Sequence, residues 1–451
     1  MIHEARIRHL IGVPPASGAY VLYWMQQAQR TEFNHALAYA LEKAEELALP
    51  LVVGFVLIPD FPEANSRHYR FMLEGMRDVQ ARLEQLDIPF VLRAGEMVSE
   101  VLQLATRAAW VVTDVGYLTF QRNWRDAVAG ALSCPFTAVE TDVIVPVAAA
   151  SEKLESAART FRPRVLKARD SFLDAVPALR GRGRPEALPD GGIGLDDAWQ
   201  RLAGLGVRDA VTAAGYKGGQ QAAKIRLNRF IGESLADYEK YARDPVAQCQ
   251  SDMSPYLHFG QISPICIYQE IMAADVPDAA QWAYIEQVLV RRELSINFVY
   301  YEPGYAQYES AVPGWARQTL DRHRADPRPY LYTRAQLEPA ATHDPYWNAA
   351  QMEMVTTGKM HNYMRMYWGK KIMEWTAEPA EAFDTMLYLN NKYELDGRDP
   401  NSYAGVAWCF GRHDRPWQER PVFGKIRYMN ARGLERKFRI GEYVERVNAL
   451  A

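Results

Sequence analysis

The chain has 451 residues, of which 48% are hydrophobic and 12% aromatic, and its formal net charge is −3. A chain of this length exceeds what one hydrophobic core usually supports, so we expect two domains. The sequence has no apolar run of about twenty residues and no apolar segment at its start, which argues against a membrane span and a secretory leader and predicts a cytoplasmic protein.

The first 147 residues alternate short β-branched runs with amphipathic stretches. Strands are predicted at 19–25, 51–58, 89–94, 110–115 and 136–147, and helices at 31–48 and 67–86. This alternation predicts an α/β domain with a parallel sheet over 1–147. Neither G-x-G-x-x-G nor G-x-x-x-x-G-K-[ST] follows these strands, so we do not expect the redox cofactor to bind to this domain.

The composition of the sequence changes after this domain. Residues 176–196 are rich in Gly, Pro and charge, which is typical of an exposed connection, and we predict a linker over 148–196. From 197 to 451 helical patterns dominate, as in QQAAKIRLNRFIGESLADYEKYA (220–242). This second part is predicted to be an all-α domain.

The cysteines and histidines carry no metal signature. There is no CxxC pairing, and the nine histidines show no H-E-x-x-H pattern. This usage predicts a reducing compartment and no metal site. The cysteines, which we interpret as small buried side chains, are Cys134, Cys249, Cys266 and Cys409.

Three tryptophans in the helical domain suggest redox chemistry. Trp368 and Trp375 stand seven apart, so on a helix they share one face with roughly 10 Å of rise between them. Trp347, on the preceding helical segment, can pack against that face. Two interpretations are open at this point: the indoles fill a core, or they form an electron path.

Several long motifs give the chain a family resemblance. They are SPYLHFGQIS (254–263), VRREL (290–294), THDPYWNAAQMEM (342–354), GKMHNYMRMYW (358–368), YELDGRDPN (393–401) and HDRPWQERPVFGKIRYM (413–429). In these runs the sequence resembles class II cyclobutane pyrimidine dimer (CPD) photolyases, a branch of the photolyase/cryptochrome family. The resemblance implies a Rossmann-like α/β domain that helps to hold an antenna chromophore, a deazaflavin or a folate, and an all-α domain that binds FAD.

The resemblance also implies the cofactor contacts. Reduced FAD (FADH⁻) is expected in the helical domain, with Arg365 and Asp396 as an ion pair beside the flavin ring and Asn390 facing flavin N5. Arg292 is expected beside the phosphates or the dimer, although a lone helical arginine is otherwise mostly a surface ion-pair partner. The remaining implied contacts are Tyr241, Met253, Ser254, Pro255, Tyr256 and Asn401. For Ser254 the alternative is a plain helix N-cap.

A second set of matched residues concerns DNA and the electron path. A flipped-out dimer is expected to meet Met366 and Trp408, and flavin photoreduction is expected to use Trp368, Trp347 and Trp375. Arg415 and Trp417 match a pair that enters the hole left in the duplex, while Lys425 and Arg427 are expected to meet phosphates. Residues 411–451 hold ten Lys or Arg against five Asp or Glu, whereas the rest of the chain holds 42 against 50. This basic tail, with its interleaved aromatic residues, is the predicted DNA-facing surface.

The chain departs from the family pattern near the dimer site. Gln287 stands where the family usually has a glutamate, and an amide donates a hydrogen bond but supplies no proton. Arg291 stands where some members have tryptophan. The geometry of substrate binding is therefore less determined by the resemblance than cofactor binding.

The resulting hypothesis is a light-driven DNA repair lyase. It would be a monomer that binds UV-damaged DNA and transfers an electron from excited reduced FAD to a flipped-out CPD. Two alternatives stay open: a cryptochrome-like flavin photoreceptor with little repair activity, and a ligase-like enzyme that uses only the α/β domain. The latter would need a phosphate-cradling Gly loop, which the sequence lacks.

Overall fold

The computed structural model describes residues 2–173, 176, 179–181, 183–204 and 215–450. Parts of the predicted linker, at 174, 175, 177, 178 and 182, lie outside the described residues, as do residues 205–214 of the predicted helical domain.

A sheet organises the N-terminal part of the described chain. Its strands are β1 (Ile7–Ile11), β2 (Tyr20–Trp24), β3 (Leu51–Leu57), β4 (Phe90–Ala94), β5 (Ala108–Asp114) and β6 (Phe136–Val139). The order is β1-β6-β5-β2-β3-β4, and each neighbouring pair is parallel except β1 with β6. Every residue of β2 and β3 is buried, which explains their continuous apolar runs.

The sheet differs from the prediction at one edge. The sequence analysis did not identify β1, which has Arg8 and His9 at its centre, is not fully buried, and pairs antiparallel with β6. The strand predicted over 136–147 ends at Val139 because the next side chain turns inward. Buried Glu140 accepts hydrogen bonds from the Tyr117 hydroxyl and the Val147 amide, both at 3.0 Å.

Helices cover both faces of the sheet. They are α1 (His35–Glu46), α2 (Ser66–Gln85), α3 (Met97–Leu104) and α4 (Thr119–Ala131). The short helix α5 (Val147–Ala150) instead packs on the helices Ala158–Ala168 and Arg292–Tyr301. Two of the helices on the sheet begin at asparagine caps. Asn34 accepts from the Leu37 amide at 2.9 Å, and Asn65 accepts from the Arg67 amide at 3.2 Å.

The rest of the described chain is helical. The helices are α6 (Ala158–Ala168), α7 (Leu195–Gly204), α8 (Gln220–Glu233), α9 (Tyr238–Tyr241), α10 (Ser254–His258), α11 (Pro264–Ala273), α12 (Asp278–Ile285), α13 (Arg292–Tyr301), α14 (Tyr308–Ala311), α15 (Gly314–Arg322), α16 (Arg334–Leu337), α17 (Pro345–Thr357), α18 (Asn362–Trp375), α19 (Pro379–Tyr393), α20 (Pro400–Cys409), α21 (Ala431–Lys437) and α22 (Ile440–Asn448). Short 3₁₀ turns lie at Glu4–Arg6, Arg169–Phe172 and Leu235–Asp237, and a π-helix, Glu286–Arg291, joins α12 to α13.

The predicted linker contains ordered helices. Phe161 and Val165 of α6 are buried in the same core as helices α8 to α13. In contrast, α7 packs on α2, and its Ala198 and Leu202 are buried in the core beside the sheet. The chain therefore enters the helical part before residue 172 and returns to the sheet at 195–204. Within the described residues, no helix combines the length and apolarity that crossing a bilayer requires.

Candidate active site

Arg365 lies between two buried carboxylates. Helix α18 carries its guanidinium to a position where Nη2 is 3.0 Å from Glu394 Oε2 and 3.3 Å from Asp396 Oδ1. The segment after α19 that holds both acids is fixed by the Leu395 amide, which donates to the Gly358 carbonyl at 2.7 Å. The predicted Arg365–Asp396 pair is thus formed, and it has a third member.

The three groups differ in charge. Burial opposes ionisation of all three side chains. The two carboxylates nevertheless raise the pKa of Arg365 above its ordinary value. Burial would raise the pKa of Asp396, but Arg365 and Lys359 together lower it. For Glu394 burial prevails and raises the pKa to about 8. The cluster therefore holds one permanent ion pair and one carboxyl that titrates near neutral pH.

A lysine extends this cluster toward α10. Lys359 Nζ donates to Ser254 Oγ at 3.0 Å and lies 3.4 Å from Asp252 Oδ1. Met253 occupies the N-cap position of α10. The Ser254 hydroxyl is therefore engaged by a cation, which does not match the alternative of a plain N-cap.

Other candidate flavin contacts lie in the helical core. Met253, Pro255 and Tyr256 are buried, and the Tyr256 hydroxyl donates to the Lys217 carbonyl at 2.9 Å. Tyr241, at the end of α9, is half-buried, with Lys240 Nζ 4.6 Å from its ring centroid.

Three further candidates make hydrogen bonds outside the Arg365–Asp396 pair. Asn390 is buried on α19, and its carbonyl accepts from the Glu394 amide at 2.9 Å. Asn401 is exposed and donates to Asp399 Oδ1 at 2.9 Å. Arg292 is buried and donates to the Asp142 carbonyl at 2.7 Å, so the alternative of a surface ion-pair partner is wrong.

The three predicted redox tryptophans touch one another. The ring centroids of Trp347 and Trp368 are 6.5 Å apart with planes 7° from parallel, and those of Trp347 and Trp375 are 5.6 Å apart at 67°. All three are at most 2% exposed. Trp347 of α17 thus lies between the two indoles of α18, giving the spatial order Trp368, Trp347, Trp375.

Cations and indoles alternate on the predicted DNA side. Successive members of this series are separated by 5.3, 5.6, 5.0 and 5.1 Å from cation to ring centroid. We call it the cation–indole ladder, and its members in order are Lys370, Trp408, Arg427, Trp417 and Arg415. It runs from the fully buried Lys370 to Trp417, which is 39% exposed, and the exposed Arg415. Lys425 is held nearby, since its amide donates to Thr319 Oγ1 at 3.0 Å and its carbonyl accepts from the Trp417 amide at 2.8 Å.

The π-helix carries the residues that depart from the family pattern. Glu286 accepts two hydrogen bonds from Arg162, at 2.7 and 2.9 Å, and one from Arg291 at 3.0 Å. Gln287 beside it is exposed, and so is Arg291. Met366 on α18 is half-buried. Gln287 is thus available to an incoming ligand, while Glu286 is committed to two arginines.

A deep cleft opens at the carboxyl ends of β2 and β3. Its empty volume is about 910 Å³, including the open mouth. Phe61, Phe120 and Trp124 form one wall, with ring centroids 4.9 to 6.4 Å apart. The opposite wall comes from the helical part, at His258 and Asp399. Ligands of such sheets bind at this edge.

Comparison with known proteins identifies the family. The DNA photolyase family profile matches residues 21–181. The chain is 50% identical to a deoxyribodipyrimidine photo-lyase of Methanothermobacter thermautotrophicus over 100% of this chain and 99% of that protein. It is 41% identical to one of Oryza sativa over 99% of this chain and 91% of that protein. The chain belongs to the DNA photolyase family.

A solved photolyase has the same architecture. The class III photolyase from Agrobacterium tumefaciens is 18% identical and matches with a TM-score of 0.77 over 96% of this chain and 87% of that chain. The predicted photolyase fold and the predicted light-driven CPD repair by a lyase are confirmed at the level of family membership. Photolyases bind FAD, and FAD is the cofactor to be tested against the site.

The donor set around Arg365 fits a flavin. Arg365 Nε is buried without a hydrogen-bond partner among the described residues. Glu394 pairs with Arg365 by charge, but neither of its carboxylate oxygens accepts a hydrogen bond from the described residues. The Arg365 side chain is 23% exposed, so part of it is open to a ligand although both of its acidic partners are buried. A guanidinium in that position is suited to an electron-rich ring system that carries negative charge.

Several participants were missed at the sequence level. Glu394 lies two residues before Asp396, and that spacing places both acids on one turn. Lys359 precedes α18 without any helical pattern to mark it. Gln351 accepts the Trp368 indole N–H at 2.8 Å, and its spacing of four from Trp347 was the available signal. Lys370 had no signal, because a lysine on a helix is ordinarily solvated.

Metal-binding clusters are not part of this arrangement. No group of three or more His, Cys, Asp or Glu side chains within the described part of the chain is placed to hold a metal ion. The four cysteines are free and buried.

Proposed function

We propose that the protein repairs CPDs in DNA with reduced FAD held against Arg365, Asp396 and Asn390. The observation that carries this proposal is the Arg365 cluster, in which a partly exposed guanidinium lies between two buried carboxylates. The chemistry that bound reduced FAD supplies is a photoexcited electron for the cyclobutane ring, which splits after gaining it.

The roles of the surrounding residues follow from their positions. Arg365 keeps a positive charge beside the ring and Asp396 keeps the guanidinium ionised and oriented. Lys359 and Ser254 offer a cation and a hydroxyl to the cofactor phosphates, and Met253, Pro255, Tyr256, Tyr241, Arg292 and Asn401 are the further proposed contacts. Met253, Pro255, Tyr256 and Arg292 are buried, which excludes water and strengthens electrostatic contacts beside them.

The tryptophan series serves photoreduction. Its members touch in the order Trp368, Trp347, Trp375, so an electron needs only short steps between rings. The indole N–H of Trp347 donates to the Trp368 carbonyl at 3.0 Å, which fixes the ring relative to α18. We propose Trp368 as the residue nearest the cofactor.

The lesion binds on the ladder side. Trp408 and Met366 supply flat and flexible apolar contacts for the dimer, and Gln287 offers an amide. Arg415 and Trp417 occupy the space that the flipped-out bases leave, and Lys425 and Arg427 meet phosphates. Base pairing is already weakened at a dimer, which lowers the free-energy cost of flipping the dimer out of the duplex.

An antenna chromophore, a deazaflavin or a folate, is proposed for the cleft beside β2 and β3. The aromatic wall at Phe61, Phe120 and Trp124 suits a flat ring system. The opposite wall belongs to α10, which also holds Ser254, and to the segment between α19 and α20, which also holds Asp396. This common wall would keep the two chromophores close to each other. The protein is further proposed to act as a cytoplasmic monomer.

The decisive experiment is illumination of the FAD-loaded, chemically reduced protein with an oligonucleotide that contains one thymine dimer. We expect thymine absorbance near 260 nm to be restored only in the light. The matched variant is Asp396→Asn, which keeps the shape but removes the charge that orients Arg365, and it should lose flavin affinity. Bound flavin that photoreduces without any restored absorbance would instead favour a cryptochrome-like photoreceptor.

A further inference from the structure

Lys370 is an unusual buried cation. Its side chain is 0% exposed, and no carboxylate lies within ion-pair distance of it among the described residues. Its ammonium group donates a hydrogen bond to the Cys409 carbonyl and lies 5.3 Å from the centroid of the Trp408 ring. An unpaired buried ammonium group is costly, so its retention points to a role beyond filling space.

Two cations lie over the Trp408 ring. Lys370 approaches at 5.3 Å and Arg427 at 5.6 Å from the ring centroid. Loss of an electron would make the indole itself positive, and two nearby cations oppose that charge most strongly where water is excluded. Trp408 is therefore harder to oxidise than an indole without such neighbours.

The redox tryptophans lack this feature. Within the described residues, no Lys or Arg lies over the ring of Trp347 or Trp368. Lys371 lies 5.6 Å from the Trp375 ring, but its charge is matched by Glu374 at 2.7 Å. The two sets of indoles are thus electrostatically distinct although they share helix α18 as a neighbour.

Trp408 is positioned to compete as an electron donor. Helix α20, which carries it, packs on α18, and α18 carries both Arg365 and Trp368. An indole at this place can lose an electron to photoexcited oxidised FAD. Its ring nitrogen would then lose a proton, and dioxygen would add to the neutral radical to give oxygenated tryptophan products.

We propose that Lys370 is a positioning residue that keeps Trp408 from being oxidised, so that flavin photoreduction draws its electron from Trp368 and leaves the lesion-binding indole intact. This inference rests on the proposed function, since it requires FAD beside Arg365 and a dimer site at Trp408.

The test is residue-resolved photo-oxidation of the FAD-loaded full-length protein. Wild type, Lys370→Met and the neighbouring control Lys371→Met are illuminated in air without DNA, and peptide mass spectrometry measures oxygenated Trp408 relative to oxygenated Trp375. We expect the ratio to rise roughly tenfold in Lys370→Met, the effect of losing one close cation. It should not rise in Lys371→Met. A merely structural role for Lys370 would not shift this ratio selectively, and Lys370→Arg should restore the wild-type ratio.

A second measurement covers the case in which Lys370→Met does not fold. Burial lowers the pKa of Lys370 to about 8; Cys409 and Asp414 oppose that lowering and Arg427 adds to it. The wild-type ratio should therefore rise between pH 7 and pH 9.5, as Lys370 loses its charge. Suppose that the wild-type protein binds and photoreduces FAD. If the ratio of oxygenated Trp408 to oxygenated Trp375 then stays unchanged in Lys370→Met, and in wild type between pH 7 and pH 9.5, the role of Lys370 alone would be overturned. Protein that binds no FAD would instead contradict the proposed function.

Discussion

Arg365 shows how one residue can be shared between two acids of different character. Asp396 stays ionised, whereas burial gives Glu394 a pKa of about 8 against an ordinary value of 4.5. The remaining charged neighbours of Glu394 are Lys359, Glu353 and Arg67, with the buried Tyr443 hydroxyl near them. The cluster can therefore take up or release one proton near neutral pH without losing the Arg365–Asp396 pair.

A stability measurement follows from Glu394. Because its pKa is raised on folding, the folded state binds the proton more tightly, so the free energy of unfolding falls as pH rises from about 4.5 to about 8. Glu394→Gln removes this pH-dependent contribution to the free energy of unfolding. The melting temperature of the variant relative to wild type should therefore rise by at least about 2 °C between pH 5 and pH 8.

The control for this measurement is Glu445→Gln, a surface change on α22. It should show no such pH trend. A Glu394→Gln difference that stays flat, or falls with pH, would mean that Glu394 is ionised throughout this range.

At the residue level, the family motifs predicted Arg365 and Asp396 but not Glu394 or Lys370. The pair was found because both residues fall inside recognisable motifs, and the structure brings their side chains together across 31 positions of sequence. Glu394 lies in the same motif but was not selected, because its burial depends on packing that no local pattern reveals. Lys370 sits next to Lys371, and only the fold distinguishes the buried lysine from the one that pairs with Glu374.

At the scale of elements, helices α17 and α18 together fix the positions of the indole rings. The N–H of Trp347 is tied to a carbonyl of α18, and the N–H of Trp368 is tied to Gln351 of α17. Each helix thus fixes a ring that belongs to the other. The periodicity of α18 predicted a shared face for Trp368 and Trp375, but the insertion of Trp347 between them required the tertiary structure.

Replacing Trp368 should separate two activities. Trp368→Phe keeps an apolar ring in the core but removes the easily oxidised indole, so we expect photoreduction of the oxidised flavin to fall to background. Repair by chemically reduced protein should stay within about twofold of wild type, because the variant leaves the dimer site untouched.

The control is Trp199→Phe, at a partly exposed tryptophan of α7 on the sheet side. This variant should photoreduce normally. Simultaneous loss of photoreduction and repair in Trp368→Phe would contradict the division of roles.

Sequence patterns predicted elements best where burial is two-sided. The runs of β2 and β3 were correctly interpreted because parallel strands covered by helices are apolar throughout. β1 was missed because it is a partly exposed edge strand, with the adjacent polar residues Arg8 and His9 at its centre, and lacks that signal. The strand predicted over 136–147 was too long because apolar residues continue after Val139. In the structure the Glu140 side chain accepts from the Tyr117 hydroxyl, and the Asp142 carbonyl accepts from Arg292.

At the scale of the whole molecule, charge is distributed unevenly. The net charge is −3, yet residues 411–451 carry a twofold excess of basic over acidic side chains. The exposed end of the cation–indole ladder belongs to this region. An acidic protein can therefore still present one basic face to a polyanion.

DNA binding should depend on salt through this face. In Lys425→Ala the slope of log K against log salt should decrease in magnitude by about one, with weaker binding to damaged and undamaged duplexes alike, because one phosphate contact is lost. The measurement is fluorescence anisotropy between 50 and 200 mM salt.

Arg229→Ala is the matched control, since Arg229 is 74% exposed on α8 and paired with Glu233. It should leave the slope unchanged. A Lys425→Ala slope equal to that of wild type would place the phosphate contacts elsewhere.

The return of α7 to the sheet means that the polypeptide cannot be divided cleanly by sequence position. Ala198 and Leu202 cover apolar surface beside α2, although they follow the helical segment α6 along the chain. Cleavage at residue 196 would separate α7 from the sheet domain on which it packs, and both fragments would expose apolar surface to water. The chain passes from the sheet domain to the helical domain and back again, so the two domains are expected to fold together as one polypeptide.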